Sequence, residues 1–174
     1  KKIKLKQEIS VVTVRYQDEK MFSYLPIDNE HKNQILFKSA SPATISESIR
    51  EKSLKWSKEI IAKLNYIGVI CVEYFIDEND ELFVNEIAPR VHNSGHLTIE
   101  SYNISQFESH IRAVCELEPI EPKFIHSAEM RNILGEEIYE YRRGNLPENT
   151  FFHDYFKNEA KVGRKMGHLT KIFT

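Results

Sequence analysis

A β-hairpin that runs directly into an irregular polar loop constrains this chain more than any other feature. Residues 69–76 and 82–87 are apolar segments separated by a short acidic turn, which predicts two paired antiparallel strands. The loop that follows, residues 85–97 (NEIAPRVHNSGHL), contains a proline and a glycine that prevent a regular helix. The fold must therefore present a carboxylate, a guanidinium and two imidazoles at the end of a hairpin.

Each strand of the hairpin carries a glutamate. Glu73 lies within a strand so apolar that its charge does not serve solubility, and a buried unpaired carboxylate is costly without a cation. Glu86 sits near the end of the neighbouring strand. A strand-edge glutamate paired with a lysine is the alternative, but two carboxylates on paired strands favour a Mg²⁺ site built from oxygen ligands.

Arg90 and His92 follow Pro89, which holds the backbone extended, so these two side chains are predicted to project to the same side. An arginine offers a fixed fork of donors and a histidine can orient or shuttle a proton, a pairing that suits an anionic ligand. Beside paired carboxylates, they indicate metal-dependent phosphoryl transfer. A solvated loop remains the alternative.

A second cationic cluster lies near the end of the sequence. Residues 157–168 contain four cations, a histidine and two glycines, which suits a phosphate monoester. The GxxxxGK[ST] spacing of a P-loop is absent, and a solvated charged surface is the alternative. Histidines elsewhere have simpler interpretations: His96 supports the following helix, and the pattern alone favours structural roles for His31 and His126.

Composition excludes several classes of function. The 174 residues hold 24 Lys and Arg against 26 Asp and Glu, a net charge of −2, which argues against a nucleic-acid coat. No apolar run approaches the roughly 20 residues of a membrane span. Cys71 and Cys115 lie in apolar stretches without CxxC spacing, and we expect reduced core cysteines in a cytoplasmic protein. Because the first residue is Lys1 and not methionine, we expect a fragment of a longer protein.

The remaining periodicity predicts an α+β fold. Strands are expected at residues 9–16, 21–25 and 35–37, with a loop at residues 26–31. A helix capped by Thr44 or Ser46 carries an apolar stripe of Ile45, Ile49, Trp56, Ile60, Ile61 and Leu64. A short helix at residues 97–102 precedes one at residues 105–117, capped by Ser105, with Phe107, Ile111, Val114 and Cys115 facing inward. Residues 118–122 read as a linker to a small β-rich domain, which divides the chain into residues 1–117 and 118–174.

Two motifs identify a resemblance. Residues 84–96 (VNEIAPRVHNSGH), followed by residues 98–100 (TIE) and 105–107 (SQF), and residues 163–168 (GRKMGH) resemble the N5-carboxyaminoimidazole ribonucleotide synthetases of the ATP-grasp superfamily. Residues 6–11, 29–33 and 68–73 match further segments in order, so the resemblance covers essentially the whole chain. Two departures occur near the last basic loop: Tyr155-Phe156-Lys157 replaces Tyr-Gly-Lys, and residues 160–165 (AKVGRK) replace a segment close to ARPGRK.

The resemblance implies the second lobe of an ATP-grasp domain, an antiparallel sheet with helices, followed by a small β-rich C-terminal domain. It implies ATP- and bicarbonate-dependent carboxylation of 5-aminoimidazole ribonucleotide through carboxyphosphate, in purine (IMP) biosynthesis. Matching positions assign nucleotide contacts to Glu8, His31, Asn85 and Glu86, and Mg²⁺ to Glu73 and Glu86. They assign bicarbonate and carboxyphosphate to the catalytic residues Arg90 and His92. They assign the ribonucleotide to Asn93, Lys157, Arg164 and Lys165.

The resemblance further implies a cytoplasmic homodimer whose partners are small molecules, with no nucleic acid and no membrane. The family's N-terminal domain would precede Lys1, so we expect the isolated chain to turn over little. Two alternatives remain: a formate-using ligase similar to glycinamide ribonucleotide transformylase, and a non-catalytic lobe for dimer formation. The HNSGH and GRKMGH runs argue against the formate-using ligase.

Overall fold

An antiparallel sheet organises the chain. The structure is a computed structural model that describes residues 3–144 and 146–173. In that part of the chain the sheet order is β6-β5-β1-β3-β4-β7-β9-β8, and β2 pairs with β1 at one end. The strands are β1 (Leu5–Arg15), β2 (Met21–Ser23), β3 (Ile27–Lys32), β4 (Ile35–Ser41), β5 (Gly68–Asp77), β6 (Leu82–Ala88), β7 (Ser127–Leu134), β8 (Thr150–Asp154) and β9 (Lys165–Phe173).

The described helices are mostly short. They are α1 (Glu47–Lys63), α2 (Thr98–Ser101), α3 (Gln106–Val114) and α4 (Ile138–Tyr141), with 3₁₀ turns at Asn93–Leu97 and Gly135–Glu137. None of these helices is long and apolar enough to cross a membrane. The architecture confirms the predicted α+β class and the hairpin β5–β6.

Two apolar cores lie on opposite faces of the central pair β1 and β5. Val11 pairs with Val72 and packs on the α1 side, whereas Val12 pairs with Cys71 and packs on the side of α3. Successive side chains of a strand point to opposite faces, so a strand covered on both faces reads as a continuous apolar run. This explains why the hairpin strand β5 is recognisable from sequence.

Helix α1 begins where one of the two predicted caps places it. The Ser46 hydroxyl accepts from the Ile49 backbone N–H, which satisfies one of the donors that a helix start leaves free. Ile49 and Ile61 are buried against the sheet, while Leu64, predicted to belong to the same stripe, is 55% exposed at the helix end. The stripe therefore ends one turn earlier than its sequence spacing suggests.

The predicted loop at residues 26–31 is wrong, because this segment forms the strand β3. Its sequence, IDNEHK, has Ile27 as its one β-branched residue, so it lacks the pattern that marks strands. Pairing with β1 on one side and β4 on the other makes it an interior strand all the same. Most of its side chains are polar because they border the groove described below.

The predicted orientation of α3 is also wrong for Ile111, Val114 and Cys115, although Phe107 is half-buried against the His96 ring. Ile111 is 54% exposed and Val114 is 44% exposed, while Gln106, Ser109 and Ala113 face the sheet. The buried hydroxyl of Ser109 lies 2.8 Å from the Tyr24 hydroxyl, within hydrogen-bond distance. The surface on which α3 packs therefore suits small and polar side chains, which the spacing of apolar residues in the sequence does not predict. Cys115 is exposed as well, against the prediction of a core cysteine, whereas Cys71 is buried, and both are free thiols.

The sheet continues across the predicted linker. Strand β7 pairs with β4, with Ser39 opposite Met130, and a third small core of Ile133, Ile138 and Met166 lies beyond it. Backbone pairing thus joins the two parts of the chain directly. The division into residues 1–117 and 118–174 stays a prediction.

The exposure of Ile111 on α3 can be tested by comparing isoleucine-to-alanine substitutions at a buried and at an exposed position. We expect Ile70→Ala, in the buried core of β5, to lower the free energy of unfolding by about 2–5 kcal/mol. Ile111→Ala removes the same atoms from an exposed position, so a change within about 0.5 kcal/mol is expected. Urea unfolding measures both, and equal losses would show that Ile111 is buried in solution.

Candidate active site

An acidic cluster lies where β1, β5 and β6 run side by side. Glu73 is paired with Glu86 on one side and with Ser10 on the other. The Glu73 side chain is only 14% exposed. Burial raises its pKa above the ordinary value, the charges of Glu86 and Glu8 raise it further, and His31 acts in the opposite sense. A carboxylate in this setting is stabilised by a cation.

Glu8 and His31 meet on the adjacent strands β1 and β3. His31 Nδ1 lies 2.5 Å from Glu8 Oε2, without the alignment of a hydrogen bond. Glu8 also borders a groove of about 350 Å³ that is lined by Asp28, Asn29 and Lys38. The structure brings these two predicted nucleotide contacts together at one rim of the acidic cluster.

The loop after β6 carries Arg90 and His92. His92 has an extended backbone, and its Nε2 lies 3.6 Å from Glu73 Oε1. Burial lowers the pKa of His92 to about 4, with further contributions from Arg90, Lys165 and His31. His92 is therefore neutral at pH 7 without a ligand. Arg90 is exposed, and its Nη1 donates to the Val91 carbonyl at 2.9 Å.

Asn85 and Asn93 flank this loop in different settings. Asn85 is exposed, and its Nδ2 lies 3.5 Å from Glu73 Oε2, at the limit of a hydrogen bond. The Asn93 amide makes two bonds with the Asn132 amide on β7, at 3.0 and 2.7 Å. Asn93 thus ties the loop to the strands that follow the linker, and its predicted contact with the ribonucleotide stays a prediction.

Of the three predicted cations near the chain's end, Lys165 is the one that interacts with the acidic cluster. Lys165 begins β9 and is half-buried; burial lowers its pKa, Lys157 and Arg90 lower it further, and Glu73 acts in the opposite sense. Lys157 Nζ donates to the Lys165 carbonyl at 2.6 Å. Arg164 is exposed on the preceding loop, where Nη1 donates to the Glu159 carbonyl at 3.2 Å. The side chains of Arg164 and Lys165 therefore lie in different surroundings, although the two residues are adjacent in sequence.

Three further histidines pack behind the loop. The His153 and His168 rings stack 4.5 Å apart, and the His96 ring lies 5.1 Å from His168. Burial lowers the pKa of His96 to about 4 and that of His168 to about 3. His153 Nε2 lies 2.6 Å from Glu100 Oε1. These rings connect β8 and β9 to the loop after β6.

The donor set fits a magnesium ion that is shared with a phosphate ligand. In residues 3–144 and 146–173, no group of three His, Cys, Asp or Glu side chains is arranged to hold a metal by protein ligands alone. Mg²⁺ in phosphate-binding sites commonly takes one or two carboxylates and completes its shell with phosphate oxygens and water. Glu73 and Glu86 supply that pair, and a bound Mg²⁺ would neutralise phosphate charge there.

Sequence reasoning missed residues that hold the site in place. The Ser10 and Ser94 hydroxyls lie 2.8 Å apart beneath the loop, and Ser94 Oγ lies 2.9 Å from His92 Nδ1. The Tyr155 hydroxyl forms a hydrogen bond of 2.9 Å with His168 Nδ1. A serine between Ile9 and Val11 in an apolar strand is a signal that a polar partner exists. The sequence offers no signal of which partner it is.

An antiparallel sheet with paired carboxylates beside a cationic loop is typical of one lobe of an ATP-grasp domain. Family models agree with this class. The ATP-grasp domain matches residues 1–107, and the phosphoribosylaminoimidazole carboxylase C-terminal domain matches residues 128–174. The chain belongs to the ATP-grasp superfamily and, within it, to the N5-carboxyaminoimidazole ribonucleotide synthases.

Curated and solved relatives match the whole of this chain and part of their own length. The N5-carboxyaminoimidazole ribonucleotide synthase of Bacillus subtilis is 39% identical over 169 residues, which are 97% of this chain and 44% of that protein. The Staphylococcus aureus synthetase complexed with ADP has a TM-score of 0.92 and 38% identity, and the match covers 100% of this chain and 48% of the other. The Aspergillus clavatus synthase in complex with ADP and 5-aminoimidazole ribonucleotide has a TM-score of 0.93 and 32% identity, covering 99% and 48%. This chain spans about half the length of the relatives it matches.

Because Glu73 is buried, we expect its charge to lower the free energy of unfolding of the ligand-free chain. The folded-state pKa of Glu73 is raised, so its ionised form is less stable in the folded chain than in the unfolded chain. In metal-free buffer at pH 7, Glu73→Gln should raise Tm. The gain should shrink as pH falls through the raised pKa and vanish below the ordinary value of 4.5, where both states are protonated.

Thermal unfolding between pH 3.5 and 8 measures this effect. Glu81→Gln, in the exposed turn of the same hairpin, is the matched control and should leave Tm unchanged. A lower Tm for Glu73→Gln at pH 7 would show that Glu73 is satisfied by a protein cation.

Proposed function

We propose that this chain is the part of an N5-carboxyaminoimidazole ribonucleotide synthase that holds Mg·ATP, bicarbonate and the carboxyphosphate made from them. The proposal rests on one observation, which is that acidic and basic side chains from different strands lie close together. Glu73, paired with Glu86, lies against His92 of the loop that also carries Arg90, and Lys165 approaches from β9. Metal ligands and anion-binding groups thus share a single site, as phosphoryl transfer to an anionic acceptor requires.

The chemistry follows from this arrangement. A bicarbonate oxygen forms a bond to the γ-phosphorus of ATP while the bond to ADP breaks, which yields carboxyphosphate. Negative charge gathers on the phosphoryl oxygens, where the exposed guanidinium of Arg90 stabilises it. His92, neutral at pH 7, brings no positive charge of its own and hydrogen-bonds the acceptor. The amine of 5-aminoimidazole ribonucleotide then attacks the carboxyl carbon, and phosphate leaves.

The nucleotide and the ribonucleotide occupy different sides of this centre in the proposal. Glu8 and its neighbour His31 contact the nucleotide, with Asn85 and Glu86 near its phosphates. Lys157, Arg164 and Lys165, with Asn93, bind the ribonucleotide and its 5′-phosphate. Exposed Arg164 suits an outer phosphate, and half-buried Lys165 suits the reacting end.

Assembly and location belong to the same proposal. The whole synthase is a homodimer in the cytoplasm, and the free Cys71 and Cys115 suit a reducing compartment. Light scattering measures the oligomeric state. A stable dimer that binds no nucleotide would support the alternative of a non-catalytic dimerisation lobe.

Nucleotide binding is the first test with the chain itself. The chain should bind ADP in a Mg²⁺-dependent manner, because the metal would be shared between carboxylates and phosphates. Glu86→Gln should lower the affinity for Mg·ADP by roughly tenfold, the equivalent of one charge-assisted contact. Calorimetric titration measures it, with Glu81→Gln as the matched control. Binding that does not change with Mg²⁺ would remove the proposed metal site.

Turnover tests the reaction. Since the chain spans under half of its relatives' length, the 174 residues alone should show no steady ADP release. A fusion carrying the preceding half of the Bacillus subtilis relative should release ADP only with both bicarbonate and 5-aminoimidazole ribonucleotide. In the fusion, Arg90→Ala should lower kcat by about 10²–10³-fold, as loss of a transition-state donor does. Arg143→Ala, at an exposed site away from the cluster, is the control.

Turnover of the fusion with formate in place of bicarbonate would support the formate-using alternative. Full activity of Arg90→Ala would contradict the assigned role of the loop.

A further inference from the structure

The side chain of Gln106 is fully buried, yet its amide is directed at the loop that carries Arg90 and His92. Its Oε1 accepts from the His92 backbone N–H at 3.0 Å, and its Nε2 donates to the His92 carbonyl at 2.7 Å. The same Nε2 donates to His96 Nδ1 at 3.0 Å. Each polar atom of this side chain therefore bonds to the loop.

The two bonds to His92 act as a short piece of β ladder. His92 lies between β6 and the 3₁₀ turn, where no strand partners its backbone. The Gln106 amide takes the place of a neighbouring strand and fixes the plane of the peptide groups on both sides of His92. Since the His92 N–H is always a donor, the atom that faces it must be the amide oxygen, which places the amide nitrogen against His96.

Gln106 is itself held in place. Its backbone N–H donates to Thr98 Oγ1 at 3.0 Å, and that hydroxyl donates to the Gly95 carbonyl at 2.6 Å. Ser105 caps the helix that Gln106 opens, with its hydroxyl accepting from the Glu108 N–H at 3.2 Å. The amide therefore starts from a backbone position set by both the loop and the helix.

Gly95 provides the space that the amide needs. A Cβ at position 95 would lie 2.7 Å from Gln106 Oε1, 2.8 Å from its Cδ and 2.9 Å from Val12 Cγ2. Contacts this short do not occur between real side chains, so any larger residue would displace the amide or the loop. The glycine of the HNSGH run and the buried glutamine are thus complementary in shape.

We propose that Gln106 is the positioning residue of the anion-binding loop, which sets the direction of His92 toward Glu73 and fixes His96 as a hydrogen-bond acceptor at Nδ1. The proposal rests on the proposed function for what the loop binds. The hydrogen-bond geometry stands without it. Gln106 touches no substrate, so its effect on a ligand passes through His92 and the peptide bonds around it.

Two substitutions distinguish the hydrogen bond that the Gln106 amide accepts from the two that it donates. Gln106→Met keeps the length of the side chain and removes both its donor and its acceptor. Gln106→Glu keeps an oxygen for the His92 N–H and removes the donor to the His92 carbonyl and to His96. Ser109→Ala, one turn along the same buried face, is the control, because its hydroxyl contacts Tyr24 and not the loop.

Ring nitrogen shifts of ¹⁵N-labelled histidine in the 174-residue chain give a readout that loss of stability alone does not move. In the wild type, His96 should show an unprotonated Nδ1 and a proton on Nε2. Gln106→Met and Gln106→Glu should both lose the hydrogen-bonded Nδ1 shift of His96. Amide exchange at His92 should accelerate about tenfold or more in Gln106→Met, because a buried N–H loses its acceptor. Gln106→Glu should restore much of that protection.

Titration with inorganic phosphate is the second readout. Gln106→Met should weaken phosphate binding by roughly tenfold, comparable with the loss of one buried hydrogen bond, while Ser109→Ala binds as the wild type does. Unchanged His96 shifts and His92 exchange in Gln106→Met would overturn the proposal. Equal changes in Ser109→Ala would overturn it too, because general packing would then suffice.

The two proposals fail in different ways. A wild-type chain that binds no phosphate contradicts the proposed function, and the histidine shifts still decide whether Gln106 sets the loop. If Gln106→Met does not fold, Gln106→Glu decides through His96. Retention of the His96 Nδ1 hydrogen bond in that variant would overturn the assignment.

Discussion

The placement of Glu73 in the buried sheet, against Glu86 and close to Glu8, is the constraint on which the rest of the site depends. Desolvation and like charges raise the pKa of this carboxyl, so the folded chain is arranged around an anion that it does not itself neutralise. His92, the nearest histidine, is neutral at pH 7, and Lys165 stands further along the same site. In the proposed function, a divalent cation with phosphate oxygens would neutralise this charge, and Arg90 and Lys165 would meet those phosphates.

The loop after β6 adds Arg90 and His92 to the acidic cluster around Glu73. Apart from the 3₁₀ turn at Asn93–Leu97, this loop is irregular, and its geometry depends on bonds to its neighbours: Ser10 beneath, Gln106 from α3 and Asn132 from β7. Three separate parts of the chain thus fix one short segment. Preorganised donors cost no rearrangement at the moment of reaction, which is why such support matters for phosphoryl transfer.

Local chemistry made much of the fold predictable from sequence. The hairpin β5–β6, the Ser46 cap and the Ser105 cap follow from apolar runs and from hydroxyls that accept helix N–H groups. Strand β3 and the inward face of α3 did not follow, because both present polar side chains to the interior for partners far away in sequence. His96 and His168 are 72 residues apart, and only the sheet order brings their rings within 5.1 Å. The site residues are predicted from motifs, whereas Gln106 and Ser10 became visible only through the contacts they make.

The central claim is that a metal–nucleotide binds between β5, β6 and the loop that follows. Mn²⁺ in place of Mg²⁺, added with ADP, broadens the amide resonances of residues near the metal. The account predicts strong broadening around Glu73, Glu86 and His92, with β8 and the outer turns of α1 unaffected. Broadening centred on the acidic turn at residues 77–81, or spread evenly over the surface, would contradict it.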